Sequence, residues 1–177
     1  MFGDTTLLFV AADDDDLDVI KILLDGFSSD KKYAVLKLQN GYGQMPLHIA
    51  AYYGYSSIIT YLMTDLSHQQ KYDILKIQNK FKNTALHEAA CENQLKAVQV
   101  ILSSVPSELQ IQLLNIKNKE RKTAADVRPE IAIGYSMLLS QGDVALLIFQ
   151  KNSGTLLIKR RVGSLIVIAF HQRSLIS

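Results

Sequence analysis

The sequence predicts an all-α solenoid of stacked helix-turn-helix repeats with short loop fingers and a small β-prone C-terminal extension. Three observations predict it. Apolar and small residues recur every 39 residues through most of the chain. Within one period they fall at helical spacing in two short runs. After Gly142 both the period and the composition change.

The recurrence is visible residue by residue. Leu8, Leu47 and Leu86 are 39 apart, as are Ala11, Ala50 and Ala89, and Ala12, Ala51 and Ala90. The same step relates Tyr33 to Tyr72 and Ile111, Leu36 to Leu75 and Leu114, and Asn40 to Asn79 and Asn118. A fixed period of this size marks a repeat architecture, in which each unit buries its apolar face only against its neighbours. The expected organisation is a repeat domain over 1–142, with units of about 3–39, 40–78, 79–117 and 118–142, followed by an extension over 143–177.

The second unit shows why each element forms. Leu47, Ala50 and Ala51 stand at i, i+3 and i+4, and Ile58, Ile59, Leu62 and Met63 mark a second helical face after Gly54. Pro46 suits a first helical turn because it lacks only an amide that would be orphaned anyway, and Gly54 suits a left-handed stop. The alanine pair lets adjacent first helices approach closely. Thr6, Thr84 and Thr123 stand where a capping hydroxyl is wanted, whereas Met45 in the second unit offers none. That absence should cost about 1 kcal/mol.

These residues carry a family resemblance. MPLHIAAYYGYSSIITYLM (Met45 to Met63) and TALHEAACENQLKAVQVIL (Thr84 to Leu102) resemble the ankyrin repeat, whose signature is T-P-L-H-x-A-A, a glycine and an I-V-x-x-L-L second helix. TLLFVAADDDDLDVIKILL (Thr6 to Leu24) is a third copy with Phe9 in the histidine place, and TAADV (Thr123 to Val127) opens a fourth. In the fourth unit Arg128 and Pro129 replace the alanine pair, which reads as a degenerate terminal cap.

The family period is about 33, so each unit carries roughly six additional residues. They lie between Leu24 and Asn40, Met63 and Asn79, and Leu102 and Asn118, and their pattern suits an added helical turn feeding a short extended finger. The resemblance further implies that His48 and His87 hydrogen-bond backbone in adjacent turns and hold the fingers in register.

Composition bounds the function classes. The 177 residues contain 19 Lys and Arg against 17 Asp and Glu, and a net charge of +2 argues against nucleic acid as the partner. A lone cysteine, Cys91, excludes an intrachain disulfide framework and suits a reducing compartment. TTLLFVAA (Thr5 to Ala12) is preceded by Asp4 and no base, and its apolar core is too short for a secretory signal, so cytoplasmic or nuclear residence is expected. Charge is segregated. Residues 1–30 hold eight acids and one base, a net of −7, and residues 31–142 hold thirteen bases and eight acids, a net of +5.

Catalytic signals give way to structural ones. His87, Glu88 and Cys91 share a helix in a zinc-site-like spacing, but His87 occupies the repeat's histidine position and no third ligand is indicated. Asp13 to Asp16 lacks the alternation and glycine of a calcium loop and reads as a solvated helix end. No phosphate-cradling glycine loop or nucleophile elbow is present, so neither catalysis nor a cofactor or metal is expected. Lys159 to Arg161 reads as a solvated strand edge.

Residues 143–177 contain VALLIFQ, TLLIKRR and SLIVIAF around a KNSG turn, which predicts three short strands. Packing onto the last repeat is the favoured reading. The alternative makes the tail the functional part, contacting a membrane or another copy.

The resemblance implies a protein-interaction scaffold whose partner, a protein or peptide, meets the finger tips and the exposed ends of the first helices. In this sequence those positions are Asp13 and Asp14, then Tyr42, Gln44, Tyr52 and Tyr53, then Phe81, Asn83, Cys91 and Glu92. The stripe runs from acid to aromatic, which suits a basic or arginine-containing partner. The competing reading is that the tyrosines only shield the flank.

Overall fold

The second, third and fourth units each begin where an asparagine folds a finger. Asn40 Oδ1 accepts the amides of Tyr42 at 2.9 Å and Gln44 at 3.0 Å, while the Asn40 amide donates to the Gln44 carbonyl at 2.8 Å. Asn79 and Asn118 repeat this geometry one and two periods on. At the first unit's equivalent position stands Met1, which has no such acceptor, and the chain is helical from Phe2. Thr6 therefore lies inside the first helix and not at its start.

The computed structural model describes residues 2–127, 146–149, 155–162 and 165–172, and side-chain surroundings for 7–127. The first unit comprises α1 (Phe2–Asp13), α2 (Leu17–Leu24) and α3 (Ser29–Leu36). The second comprises α4 (Pro46–Tyr53), α5 (Ser56–Met63) and α6 (His68–Leu75), and the third α7 (Ala85–Cys91), α8 (Leu95–Ser103) and α9 (Ser107–Leu114). A short α10 (Ala124–Val127) opens the fourth, and the rest of that unit, including Arg128 and Pro129, lies outside the described residues.

First helices stack on first helices, with α4 between α1 and α7, and α5 packs against α8 in the second row. Ala50, Ala51, Ala89 and Ala90 are buried at this contact, which is why larger residues would force the stack apart. Ile58, Ile59, Leu62, Ile101 and Leu102 fill the layer between the two helix rows. At the turn after each first helix the chain takes a left-handed residue, Asp15, Gly54 or Asn93, at φ 57°, 80° and 58°. The conformation, more than glycine itself, is what repeats. Met45 is fully buried, and burying a methionine is worth about 1.5–3 kcal/mol, so it more than offsets the missing cap. In the fourth unit Asp126 stands in the histidine place and its carboxylate accepts both the amide and the hydroxyl of Thr123, at 3.0 and 2.9 Å.

The residues added to each period form a complete two-turn helix, longer than the single added turn expected. Ser28 and Ser67 cap α3 and α6 by accepting the amides of Lys31 and Gln70. Lys32 is buried, and its ammonium donates at 2.9 Å to each of the Tyr61 and Thr64 carbonyls at the end of α5. Burial pulls its pKa down, partly countered by Asp65. The added helices also touch one another, since Tyr72 on α6 donates to Gln112 on α9 at 2.8 Å.

Residues Arg128–Ser177 form a separate unit. Its described residues make an antiparallel meander of β1 (Leu146–Phe149), β2 (Thr155–Val162) and β3 (Leu165–Gln172), in which Leu147 is opposite Ile158 and Lys159 opposite Ile168. The KNSG turn falls outside the described residues. No described helix is long and apolar enough to cross a membrane.

Candidate binding surface

Two histidines lock the fingers in register. His48 Nδ1 accepts the Met45 amide at 3.1 Å, and its Nε2–H donates to the Asn83 carbonyl in the next finger at 3.2 Å. His87 repeats the arrangement, with Nδ1 against Thr84 and Nε2 on the Lys122 carbonyl at 3.1 Å. The partners assign the neutral tautomer with its proton on Nε2. Burial holds both imidazoles neutral, lowering the pKa of His48 to about 4 and that of His87 in the same direction.

A glutamine ladder, unmarked in the sequence reading, completes the register. Gln39 donates to the Gly43 carbonyl of its own finger at 2.6 Å and to the Gln78 carbonyl 39 residues on at 3.3 Å. Gln78 does the same one unit later, reaching Lys117 at 2.9 Å. Adjacent fingers also join directly, the Lys80 amide donating to the Tyr42 carbonyl and the Lys119 amide to the Phe81 carbonyl.

The zinc-site-like triplet is divided among separate tasks. His87 has both nitrogens occupied, and Glu88 accepts from Asn79 at 2.6 Å and Asn83 at 3.3 Å. Burial raises the Glu88 pKa, and the two amides partly oppose that rise. Cys91 is exposed at the end of α7. Among the described residues no three His, Cys, Asp or Glu side chains are grouped as metal ligands.

The inner ends of α1 and α4 and the first finger enclose an open groove of about 440 Å³. It gathers Asp13, Tyr42, Gln44, Tyr52 and Tyr53 from the predicted stripe and adds Phe9, Val10, Asn40 and Ile49. Val10 and Ile49 precede Asp13 and Tyr52 by three residues, one helical turn back on the same face, so the period carried the signal that includes them. Tyr42 is 68% exposed and Val10 51%. Asp14, Phe81, Asn83, Cys91 and Glu92 lie elsewhere; Asn83 is already engaged by Glu88 and Asn118.

The aromatic wall is organised before any partner arrives. Tyr52 meets Tyr53 edge-on at 5.1 Å, and Tyr53 stacks on Tyr55 at 5.4 Å between ring centres. The Tyr55 hydroxyl donates to the Asp13 carbonyl at 3.4 Å. The Asp13 carboxylate raises the Tyr53 pKa, first by its charge and then by a hydrogen bond. Tyr53 therefore stays a neutral phenol beside an anionic edge.

Comparison with known proteins now fits this geometry. A family model described as Ankyrin repeats, in three copies, matches residues 8–115. The chain belongs to the ankyrin-repeat family. The ankyrin repeat is a protein-interaction fold, and the groove lies where its first helices meet a finger. Among solved structures, a chain in the crystal structure of the yeast ribosomal protein Rps3 in complex with its chaperone Yar1 is similar at 20% identity. The TM-score is 0.61, with 80% of this ankyrin chain and 95% of that chain covered. At that identity the likeness carries the fold. No curated protein matches the chain.

Proposed function

We propose that this ankyrin protein is a non-catalytic adaptor that binds a basic segment of a partner protein in the groove of its first two units. The carrying observation is the joining of an aromatic wall, Tyr42, Tyr52 and Tyr53, to the carboxylate of Asp13 in one open groove. An arginine side chain has a flat cation for the ring faces and donors for the carboxylate, so both halves of the groove act on one residue. The neighbouring Asp14, Asp15, Asp16 and Asp18 are exposed and add negative potential around the site. That potential speeds encounter and is screened within about 8 Å at physiological salt. The prestacked tyrosines reduce the entropy lost on binding. A reducing compartment, cytoplasmic or nuclear, suits the lone Cys91.

A pull-down from cell extract with the full chain as bait tests this. The double substitution Tyr52→Ala and Tyr53→Ala is expected to lose the partners captured by the wild type while leaving the helical circular-dichroism signal unchanged. Retention of every partner by the double variant would sink the groove as the binding site.

A further inference from the structure

The left-handed turn residue of each finger changes identity along the solenoid. It is Gly43 in the first finger, Lys82 in the second and Arg121 in the third, at φ 73°, 57° and 62°. Glycine takes this conformation without the clash that a Cβ introduces. The second and third fingers thus carry a cation at the position where a side chain is least comfortable, and such placement points to use. Lys80 and Lys119 flank the same turns, one on each finger. All four cations are exposed, and none makes an ion pair among the described residues, whereas Lys122 is held by Glu120 at 3.0 Å. Phe81 stands at the second tip, 59% exposed, and its carbonyl accepts the Lys119 amide at 3.0 Å, so the two tips adjoin.

We infer that the second and third finger tips form a docking row for a short acidic segment of a partner protein, which sets an apolar side chain against Phe81 and its carboxylates among Lys80, Lys82, Lys119 and Arg121. Charge complementarity selects the occupant. The first finger, Gly41 to Gln44, has no cation, and residues 1–30 carry −7, so a long phosphate backbone following the row would run into like charge. A short acidic stretch ends before it. This row differs from the tyrosine groove in position and in the sign of its ligand. An extended partner engaging both would be basic at one end and acidic at the other.

The test is fluorescence anisotropy with the full chain and a labelled glutamate-rich peptide containing one phenylalanine. Saturable, salt-sensitive binding is expected. The variant Lys82→Gly with Arg121→Gly relieves the left-handed turns, so its melting temperature should equal or exceed the wild type while affinity falls roughly tenfold. Tyr52→Ala should leave this affinity unchanged, which separates the row from the groove. Wild-type affinity in the double glycine variant overturns the proposal, as does tighter binding of a single-stranded oligonucleotide of equal charge. Sedimentation showing a second copy of the chain seated on the row, released by the glycine substitutions, would also overturn it.

Discussion

Replacing His48 by alanine will destabilise the repeat unit by about 3–5 kcal/mol. The imidazole is fully buried and joins two units, taking the Met45 amide and giving its proton to the Asn83 carbonyl. Its removal strands one buried donor and one carbonyl, each costing about 1–3 kcal/mol, and adds the cost of the space left behind. Domains are stable by only about 5–15 kcal/mol, so the loss is a large fraction of the whole. Thermal unfolding followed by circular dichroism should show a fall of roughly 12–20 °C. Because a solenoid is held by contacts between neighbours, the second and third units should also unfold less cooperatively. A fall comparable to that of an exposed substitution such as Lys96→Ala would show that the histidine bridge is not what couples the units.

Acid will unfold the protein through the same side chain. The folded pKa of His48 is lowered to about 4 by burial, against an unfolded value near 6.5. Between those values the unfolded chain binds a proton that the folded chain refuses. Stability is therefore full above about pH 6.5 and falls as the pH drops towards 4, by on the order of 3 kcal/mol. His87 is shifted in the same direction and adds to the loss. Glu88 acts oppositely, since its raised pKa makes the folded state take up a proton before the unfolded state does. Urea denaturation across this pH range should show the decline in the wild type and a shallower one in His48→Gln. Equal slopes in the two proteins would assign the acid sensitivity to other groups.

The legible part of the fold was what repeated in apolar and small residues. The 39-residue step identified the first and second helices, the alanine contact and the paired histidines without any structure. The added helices look shorter in sequence than they are because their buried positions are partly polar. Lys32 looks solvated, yet it is buried because the carbonyls of Tyr61 and Thr64 receive its ammonium. Gln39 and Gln78 look like loop polarity, and only the fold shows each reaching a carbonyl one period away. Thr6 matches the capping threonines by period, but the chain is helical from Phe2, so Thr6 falls within α1. Met45 is a lost cap in sequence, and its burial, which the residue type alone does not reveal, offsets that loss.

The candidate groove was half legible. The acid and tyrosine positions follow from the ends of the first helices, and the structure places Asp13, Tyr42, Gln44, Tyr52 and Tyr53 around one cavity. The third-unit residues were assigned to the same stripe, but the polar network around Glu88 uses Asn83. The charged finger turns are not legible in sequence, because left-handed backbone at Lys82 and Arg121 has no signature in the residues themselves.

Amide hydrogen exchange of the full chain with and without a short arginine-rich peptide tests the central claim most directly. The account predicts slowed exchange in the amides around Val10 to Asp16 and Asn40 to Tyr55, the segments that build the groove, with α8 and α9 unchanged. Protection confined to the third unit, or no change anywhere at saturating peptide, would contradict it.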